Sequence, residues 1–259
     1  MKLVIKIGGA ALDSKELVQK FARTIPSLCK EGHQIVIVHG GGAALSRTLK
    51  QLGCETTFID GLRVTSAETR DVAMMVLAGQ LNKALVAEIG AAGQPAIGMC
   101  GGDLGMFRAT RKISPDLGFV GEIRSVNIDW IERLWTTGIV PVVSSLALGF
   151  DGEYYNVNAD QMASACAIAC GAHALIYLTD VPGVKDAEGT VIRWLDAKAI
   201  AQMVQKATVS GGMLPKLEAC TNALKRGVTR VRILPADHAE VLPEFFTHAI
   251  DWGTEVIAS

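Results

Sequence analysis

Two lysines stand beside glycine-rich turns, where they could bring positive charge to a phosphoryl group. Lys6 precedes Gly8 and Gly9 at the end of an apolar run, and Lys216 follows a Gly-Gly pair in the segment GGMLPKLEACTNAL. Lysine supplies compact charge and glycine N–H groups supply directional donors, a combination that suits phosphoryl transfer. Taken singly, each lysine also fits a solvated surface group, and each glycine turn fits an ordinary tight turn.

A second glycine turn follows the next apolar run. His39 is followed by Gly40, Gly41 and Gly42, and a helical pattern begins there. At the carboxyl end of a parallel strand, such N–H groups and the helix N-terminus can bind a phosphate or a carboxylate. The sequence has neither G-x-x-x-x-G-K-[ST] nor a complete G-x-G-x-x-G, which argues against P-loop and Rossmann nucleotide sites.

The segment NVNAD places a carboxylate in the first turn of a predicted helix. Asn158 is a good N-cap residue, and Asp160 follows it by two positions. Asp160 can simply favour the positive end of the helix dipole. Alternatively, its carboxylate lies between the two lysines and fixes their positions, because a negative group between two cations reduces their repulsion.

Two further polar segments could bind ligands. Thr179 and Asp180 open the segment TDVPGV directly after a strongly apolar run, where a nucleotide could rest, although a Pro-Gly turn with an Asp cap explains the same residues. Arg63 lies in the extended segment GLRVT before a long helix, and its guanidinium could bind a carboxylate through two hydrogen bonds. An exposed ion pair is the other interpretation of Arg63.

The elements that must position these residues alternate between strands and helices along the whole chain. This pattern predicts an α/β fold with a mainly parallel sheet. We expect strands at residues 3–7, 34–38, 95–98, 139–143, 174–178 and 230–234. We expect helices at residues 14–30, 43–52, 67–89, 128–135, 159–169, 197–205, 213–225 and 239–247.

The alternation is interrupted twice. Residues 55–64 and 106–155 mix β-branched and aromatic residues with Gly and Asp, which predicts inserted hairpins that could form a substrate lid. No Pro- or Ser-rich linker divides the chain, so any lobes should be closely joined. We place their boundary near Gly171, between an amino-terminal lobe of residues 1–171 and a carboxyl-terminal lobe of residues 172–259.

Composition excludes several other classes of protein. The 259 residues carry a formal charge of -1, with 49% hydrophobic and 20% charged residues, which fits a globular protein and not a nucleic-acid surface. No run of about 18 apolar residues predicts a membrane span, and the first residues do not form an export signal. The six cysteines form no C-x-x-C pair, so we expect reduced thiols and a cytoplasmic protein.

Taken together, these segments resemble the amino acid kinase family over nearly the whole chain. The matching segments occur in the family's order and are KIGGAAL, VIVHGGG, GLRVT, PVVSSLAL, NVNAD, LTDVPGV and GGMLPK. The resemblance implies a three-layer αβα sandwich with a central, mainly parallel sheet, the carbamate kinase-like fold. It is strongest to the members that use ATP to phosphorylate the side-chain carboxylate of N-acetyl-L-glutamate in arginine biosynthesis.

The resemblance also implies a role for each candidate residue. Lys6 and Lys216 stabilise the transferring phosphoryl group, and Asp160 organises both. Binding of the acyl substrate and the transferred group is implied for Gly41, Gly42, Arg63, Asn156 and Asn158. Binding of ATP is implied for Gly8, Gly9, Thr179, Asp180, Val181, Pro182, Gly183, Val184, Lys185, Thr208, Val209, Ser210 and Gly212. Mg²⁺ would arrive with the nucleotide, and we predict no protein side chain as its dedicated ligand.

A carboxylate acceptor makes a general base unnecessary, because the carboxylate is already ionised at neutral pH. We therefore expect none of the five histidines to act as a base, and His39 to support its glycine turn. Because the first strand begins near Lys2, the resemblance further implies a homodimer without arginine feedback, joined through the amino-terminal half.

Several alternatives stay open at this stage. Within the family, the acceptor could be a longer N-acetylaminoadipate derivative, carbamate, aspartate or UMP. The sequence does not settle the chain length of the acceptor, because one methylene changes binding by only about 1–3 kcal/mol. The basic residues Arg108, Arg111 and Lys112 could meet a carrier-bound acidic substrate or form a solvated hairpin face. Outside these kinases, a non-catalytic nucleotide-binding regulator does not need both lysines, and a dinucleotide-dependent oxidoreductase needs the glycine fingerprint that is missing.

Overall fold

The computed structural model describes residues 1–206, 208–209, 211–246 and 251–257. Fourteen strands lie in this part of the chain. They are β1 Lys2–Ile7, β2 Gln34–His39, β3 Phe58–Ile59, β4 Leu62–Arg63, β5 Ala96–Cys100, β6 Phe107–Ile113, β7 Asp116–Val126, β8 Val140–Ser144, β9 Leu146–Gly149, β10 Tyr154–Asn156, β11 Ala174–Thr179, β12 Trp194–Leu195, β13 Arg230–Pro235 and β14 Thr254–Val256.

Helices connect most of these strands. The α-helices of the described residues are α1 Lys15–Lys30, α2 Gly42–Gln51, α3 Ala67–Ala73, α4 Asn82–Ala91, α5 Asp129–Thr136, α6 Ala159–Cys170, α7 Ala197–Gln205 and α8 Met213–Lys225. Between α3 and α4, residues Met74–Leu81 continue the helix with wider π-type turns. Shorter 3₁₀ segments occupy Gly9–Asp13, Asp103–Gly105 and Ala236–Phe246.

A central sheet of eight strands, in the order β12-β14-β13-β11-β1-β2-β8-β5, positions the site. Its neighbouring strands run parallel except for β13 and β14. Strand β1 lies between β11 and β2, with Lys6 opposite Tyr177 on one side and Val38 on the other. The carboxyl ends of β1, β2 and β11, where the polar segments begin, therefore lie side by side at one edge of the sheet.

Two hydrophobic cores cover the two faces of this sheet. In β1, Leu3, Ile5 and Ile7 belong to the core that includes buried residues of α1 and α4. Val4 belongs to the opposite core, which includes buried residues of α5, α6 and α8. Side chains alternate along a strand, so Lys6 faces the same side as Val4 and is directed toward α6 and α8. The predicted three-layer αβα architecture is confirmed.

Local sequence signals define the ends of the helix that carries Asp160. The Asn158 side chain accepts hydrogen bonds from the backbone N–H groups of Asp160 and Gln161, at 2.9 and 3.1 Å. These bonds satisfy two of the donors that a helix start leaves free. At the other end, Gly171 adopts a left-handed conformation with φ 57°, which glycine accepts without strain.

The two interruptions in the alternation are β-structures, as the sequence predicts. Strands β3 and β4 form a short antiparallel hairpin within residues 55–64. Where the sequence predicts hairpins over residues 106–155, strands β6, β7, β9 and β10 form a small closed barrel that ends at Asn156, and α5 and β8 of the central sheet interrupt its sequence. On the barrel, Arg111 pairs with Asp116 and Lys112 pairs with Glu122, at 2.9 and 3.2 Å. These pairs favour a solvated hairpin face over a carrier-binding surface.

Six strands of the sheet correspond to the six predicted strands, but the carboxyl-terminal region differs from the prediction. An α-helix over 239–247 is wrong within the described residues, because Ala236–Phe246 forms 3₁₀ turns with Pro243 inside. Residue 247 lies outside the described residues. Strands β12 and β14 are absent from the prediction because two- and three-residue strands show no alternating pattern.

The helical stretch Ala67–Ala91 is long and apolar enough, by length and composition, to cross a membrane. Core helices of soluble proteins meet the same test. Here Val72, Val76 and Leu77 pack into one buried cluster, and Leu85 and Ile89 pack into the core that also holds α1. These contacts pack one part of the stretch against the protein core.

Candidate active site

The two lysines meet on one carboxylate. The Lys6 Nζ lies 2.9 Å from Asp160 Oδ1, and the Lys216 Nζ lies 2.7 Å from Asp160 Oδ2. All three residues are buried, with exposed fractions of 8%, 6% and 6% for Lys6, Asp160 and Lys216. The carboxylate therefore bridges two ammonium groups that are far apart in sequence.

Three elements of the fold create this arrangement. Lys6 lies at the end of β1, Asp160 lies in the first turn of α6, and Lys216 lies in the first turns of α8. Helices α6 and α8 pack on the same face of the sheet. Because Lys6 is directed to that face, the three side chains converge where the helix starts meet the edge of the sheet.

Electrostatics keep Asp160 ionised despite its burial. Burial opposes its charge, but Lys6 and Lys216 outweigh this and lower the pKa of Asp160 to about 2. Burial is also the main cause that lowers the pKa of Lys6, helped by Lys216 and opposed by Asp160. A carboxylate with two cations leaves one excess positive charge at the site, which can receive an anion.

Glycine at position 8 is required by the close approach of Lys6. A Cβ atom added to Gly8 would lie 2.4 Å from the Lys6 Nζ and 3.0 Å from its Cε. A side chain at this position would require the flexible end of Lys6 to shift. The glycine turn after β1 therefore leaves room for the lysine and keeps its own backbone accessible.

The second glycine turn is also shaped by close packing. Gly41 has a φ of 152°, and a Cβ atom there would lie 2.1 Å from Leu81 Cδ1. His39 precedes the turn and is fully buried, with its Nδ1 2.8 Å from the Gly40 carbonyl oxygen. This is the supporting contact expected of His39. Burial lowers the pKa of His39 to about 4, so its ring is neutral at pH 7.

The two terminal nitrogens of the Arg63 guanidinium differ in their hydrogen bonding. Its Nη2 donates to the Gly42 carbonyl oxygen at 2.9 Å and to Ser46 Oγ at 2.7 Å. The guanidinium lies 4.6 Å from the ring centroid of Phe58. Its Nη1 is buried and has no hydrogen-bond partner among the residues that the structure describes. A buried donor without a partner is costly, so this atom points to an anionic ligand.

A cavity of about 380 Å³, which we call the lysine cavity, joins these features. Its lining includes two of the three predicted catalytic residues, all five predicted acyl-substrate residues and three predicted ATP residues, but Lys216 is not among the lining residues. Those predicted residues are Lys6, Gly8, Gly9, Gly41, Gly42, Arg63, Asn156, Asn158, Asp160 and Gly212. Asn156 also donates to Thr65 Oγ1 at 3.3 Å, which holds its amide beside Arg63.

A second cavity of about 240 Å³, which we call the Asp180 cavity, lies at the ends of β11 and β13. It is lined by Thr179, Asp180, Val181 and Pro182, four of the residues predicted to bind ATP. An added Cβ on Gly9 would lie 3.3 Å from Asp180 Oδ1. Gly9, which lines the lysine cavity, therefore lies close to the Asp180 side chain.

Other residues predicted to bind ATP do not line either cavity. Gly183 packs against Val191 and Thr254, and the Val184 N–H donates to Thr254 Oγ1 at 2.8 Å. Lys185 forms an isolated β-bridge with Val191. Through these contacts, the second half of the TDVPGV segment packs against β14.

The loop before α8 carries the remaining predicted ATP residues. The Thr208 N–H donates to the Met203 carbonyl oxygen at 2.9 Å, and Val209 packs against the core that holds α6 and α8. Ser210 lies outside the described residues. Their predicted contacts with ATP stay predictions.

Tyr177 is a site residue that the sequence analysis missed. It is fully buried, its ring centroid lies 5.1 Å from the Lys216 Nζ, and its hydroxyl donates to the Asp160 carbonyl oxygen at 3.1 Å. Tyrosine in an apolar strand looks like an ordinary core residue. Its register opposite Lys6 is the only signal of its position, and that register requires the fold.

Substitution of Tyr177 tests whether its ring stabilises the Lys216 ammonium group. Tyr177→Leu removes the cation–π contact and should lower kcat by about thirtyfold with little change in the KM values, because a desolvated contact of this kind contributes about 2 kcal/mol. Tyr177→Phe keeps the ring and should retain kcat within about threefold of wild type. Equal losses of kcat in both variants would show that the ring does not act on Lys216.

Side chains that could ligate Mg²⁺ are scarce around the lysines in the described part of the chain. In the part of the chain that the structure describes, no group of three His, Cys, Asp or Glu side chains could hold a metal ion. Asp160 is occupied by two lysines. Mg²⁺ commonly keeps several waters and is bound through substrate phosphates with one or two carboxylates.

The parallel sheet, its two glycine turns and its paired lysines define a phosphotransferase site. The chain belongs to the amino acid kinase family, whose model matches residues 1–235. It is similar to the acetylglutamate kinase of Koribacter versatilis (strain Ellin345), with 61% identity over 260 residues that cover 100% of both chains.

Solved structures have the same fold. The crystal structure of smu.665 from Streptococcus mutans UA159 matches with a TM-score of 0.86 and 28% identity, over 100% of this chain and 99% of the other. The carbamate kinase of Giardia matches with a TM-score of 0.70 and 14% identity, over 100% and 99% of the two chains. These matches confirm the carbamate kinase-like fold.

Proposed function

We propose that this enzyme transfers the γ-phosphoryl group of ATP to the side-chain carboxylate of N-acetyl-L-glutamate. The product is N-acetylglutamyl 5-phosphate, an intermediate of arginine biosynthesis. The full-length similarity to an acetylglutamate kinase supports the activity. The observation that carries the proposal is the pair of buried lysine ammonium groups held by Asp160 beside a cavity lined with glycine turns.

The lysines act on the charge of the transferring group. A carboxylate oxygen of the acceptor bonds to the γ-phosphorus while the bond from phosphorus to the ADP oxygen breaks. Negative charge on the phosphoryl oxygens is stabilised by the Lys6 and Lys216 ammonium groups, and Asp160 keeps both in place. Positioned charges in a buried site need no rearrangement during the reaction, which makes them effective in the transition state.

The acceptor requires recognition but no deprotonation. The free Nη1 of Arg63 can donate to the α-carboxylate of the amino acid, with Asn156 and Asn158 beside it. The side-chain carboxylate is ionised at neutral pH, and His39 is neutral with both ring nitrogens engaged. No proton has to be removed before the attack.

The nucleotide is assigned to the side of the site that holds β11. Gly8 and Gly9 would contact its phosphates, and Thr179 and Asp180 line the Asp180 cavity. Bound Mg²⁺ would neutralise phosphate charge as the acceptor carboxylate approaches. The protein contributes position and charge, since the acceptor and ATP otherwise repel each other.

The acceptor is tested by trapping the acyl phosphate with hydroxylamine in the presence of Mg-ATP. N-acetylglutamate, N-acetylaminoadipate, glutamate and aspartate are compared as hydroxamates, and carbamate and UMP are compared by ADP release. We expect a strong signal with N-acetylglutamate alone. A stronger signal with another acceptor would reassign the substrate, and ATP binding without any turnover would favour a nucleotide-binding regulator.

Arg63 gives a sharper test of substrate binding. Arg63→Ala should raise the KM for N-acetylglutamate by about tenfold to a hundredfold, because a hydrogen bond to a charged group contributes about 1.5–3 kcal/mol. The KM for ATP should change little. Arg47→Ala is a matched control, since Arg47 forms an exposed pair with Asp13. An unchanged KM for N-acetylglutamate in Arg63→Ala would remove Arg63 from the substrate site.

We further propose that the two predicted lobes have different roles. Residues 1–171 would bind the acyl amino acid and form a homodimer, and residues 172–259 would bind ATP. The open edge strand β5 and the exposed Ile97 and Met75 support an interface in the amino-terminal part. Light scattering should give twice the chain mass, and a stable monomer or hexamer would contradict the homodimer.

A further inference from the structure

A buried pair of side chains outside the lysine cluster lies against the second glycine turn. Asn82 and His39 are both fully buried, and Asn82 Nδ2 lies 3.0 Å from His39 Nε2. The same amide nitrogen lies 2.9 Å from the Val142 carbonyl oxygen and 3.3 Å from that of Met99. Carbonyl oxygens only accept hydrogen bonds, so this atom must be the NH₂ group.

The contacts with Asn82 and Gly40 together determine the tautomer of His39. The two hydrogens of the Asn82 NH₂ group are shared among His39 Nε2 and the two carbonyl oxygens. Because an amide NH₂ group does not accept hydrogen bonds, the Nε2 atom that faces it carries no proton. The proton of the neutral ring lies on Nδ1, which donates to the Gly40 carbonyl oxygen at 2.8 Å. Burial opposes protonation of this ring most strongly, and the Lys6 ammonium group adds to the effect. One acceptor and one donor are thus fixed on opposite sides of the ring.

The bond to Gly40 orients the peptide that follows. The peptide between Gly40 and Gly41 is trans, since the structure has its cis bond at Ser114-Pro115 among the described residues. In a trans peptide the C=O and N–H groups point in opposite directions. With its carbonyl held by His39, this peptide directs the Gly41 N–H away from the ring. Gly41 lines the lysine cavity at the start of α2, where backbone donors lack partners within the helix.

We propose that Asn82 and His39 are positioning residues that aim the Gly41 N–H at the transferring phosphoryl group. The inference rests on the proposed function, because it assigns that group to the lysine cavity. Asn82 begins α4, directly after the wide turns of Met74–Leu81, so this helical stretch is coupled to the glycine turn. Leu81 packs against Gly41 from the same stretch.

The first test measures the tautomer directly in the wild-type enzyme. Nitrogen-15 NMR of histidine-labelled protein at pH 7 should show His39 with a protonated Nδ1 and an unprotonated Nε2. A ring protonated on Nε2, or on both nitrogens, would overturn the proposal. This measurement needs no variant and no turnover, so it remains decisive if the kinase assay fails. Absence of turnover on every acceptor would refute the proposed function separately.

The second test separates positioning from general stability. Asn82→Ala should lower kcat about tenfold or more, because a misdirected donor weakens transition-state binding. Gln94→Ala is the matched control, since Gln94 is also a buried amide that donates to backbone carbonyls, at Gly138 and Pro95. The Tm of Gln94→Ala should fall about as much as the Tm of Asn82→Ala, while the kcat of Gln94→Ala stays within about twofold of the wild-type value. Equal kcat values for the two folded variants would overturn the proposal.

Discussion

Replacing Lys216 by alanine is expected to lower kcat by about a hundredfold or more while the protein stays folded. The ammonium group lies in a buried site beside the cavity, where charge that meets the transferring group has its largest effect. Asp160 keeps its second partner, Lys6, so the carboxylate is not left unpaired. Steady-state kinetics with Mg-ATP and N-acetylglutamate measures the change.

Two controls make the result for Lys216 specific. Lys225→Ala removes an exposed lysine from the last turn of the same helix and should leave kcat unchanged. Lys216→Arg keeps the charge but replaces a compact ammonium by a planar fork, and it should recover little of the lost kcat. Near-normal turnover of Lys216→Ala would remove this residue from the mechanism.

Replacing Asp160 by asparagine should reduce both stability and turnover. The carboxylate separates two buried cations, and removing one member of a buried ionic cluster costs about 3–5 kcal/mol in the free energy of unfolding. The lysines would then repel each other, and kcat should fall by about a hundredfold. Urea unfolding and steady-state kinetics measure the two effects.

The matched control for Asp160 is an aspartate at the start of another helix. Asp129 lies in the first turn of α5 and is exposed, so Asp129→Asn removes a similar interaction with the helix dipole without touching the lysines. It should cost less than about 1 kcal/mol. If Asp160→Asn cost no more than Asp129→Asn, Asp160 would be only a helix-capping residue.

The pKa of Asp160 predicts how its contribution depends on pH. Its folded pKa of about 2 lies below the ordinary value of 3.8, so the unfolded chain binds a proton more readily. The stabilisation is therefore complete above about pH 5 and is lost as the pH falls through 3.8 toward 2. The difference between wild type and Asp160→Asn should be nearly constant between pH 5 and 7.

Local patterns predicted the parts of the site that lie on strong elements. Lys6 follows an apolar strand, Asn158 and Asp160 start a helix, and glycine turns follow two strands, so each could be placed at the edge of a parallel sheet. The contact between Asp160 and the two lysines, Lys6 and Lys216, could be predicted only from the family resemblance or from the fold. Their positions depend on helix packing that no local spacing specifies.

The features that were missed depend on contacts between distant residues. Tyr177 and Asn82 sit in apolar segments and look like packing residues until the register and the helix rotation are known. The barrel closes through the pairing of Asn156 with Val120, which are far apart in the chain. Strand β14 is defined by its pairing with β13, and three residues are too few for a periodic pattern.

The central claim is that an acceptor carboxylate attacks the γ-phosphorus of ATP at the lysine cavity. N-acetylglutamate labelled with ¹⁸O in its side-chain carboxylate, mixed with Mg-ATP and enzyme, can be followed by ³¹P NMR. We predict that ADP and acyl phosphate form in equal amounts and that the bridging oxygen carries the label. Release of ADP with unlabelled inorganic phosphate, and no acyl phosphate, would contradict the claim.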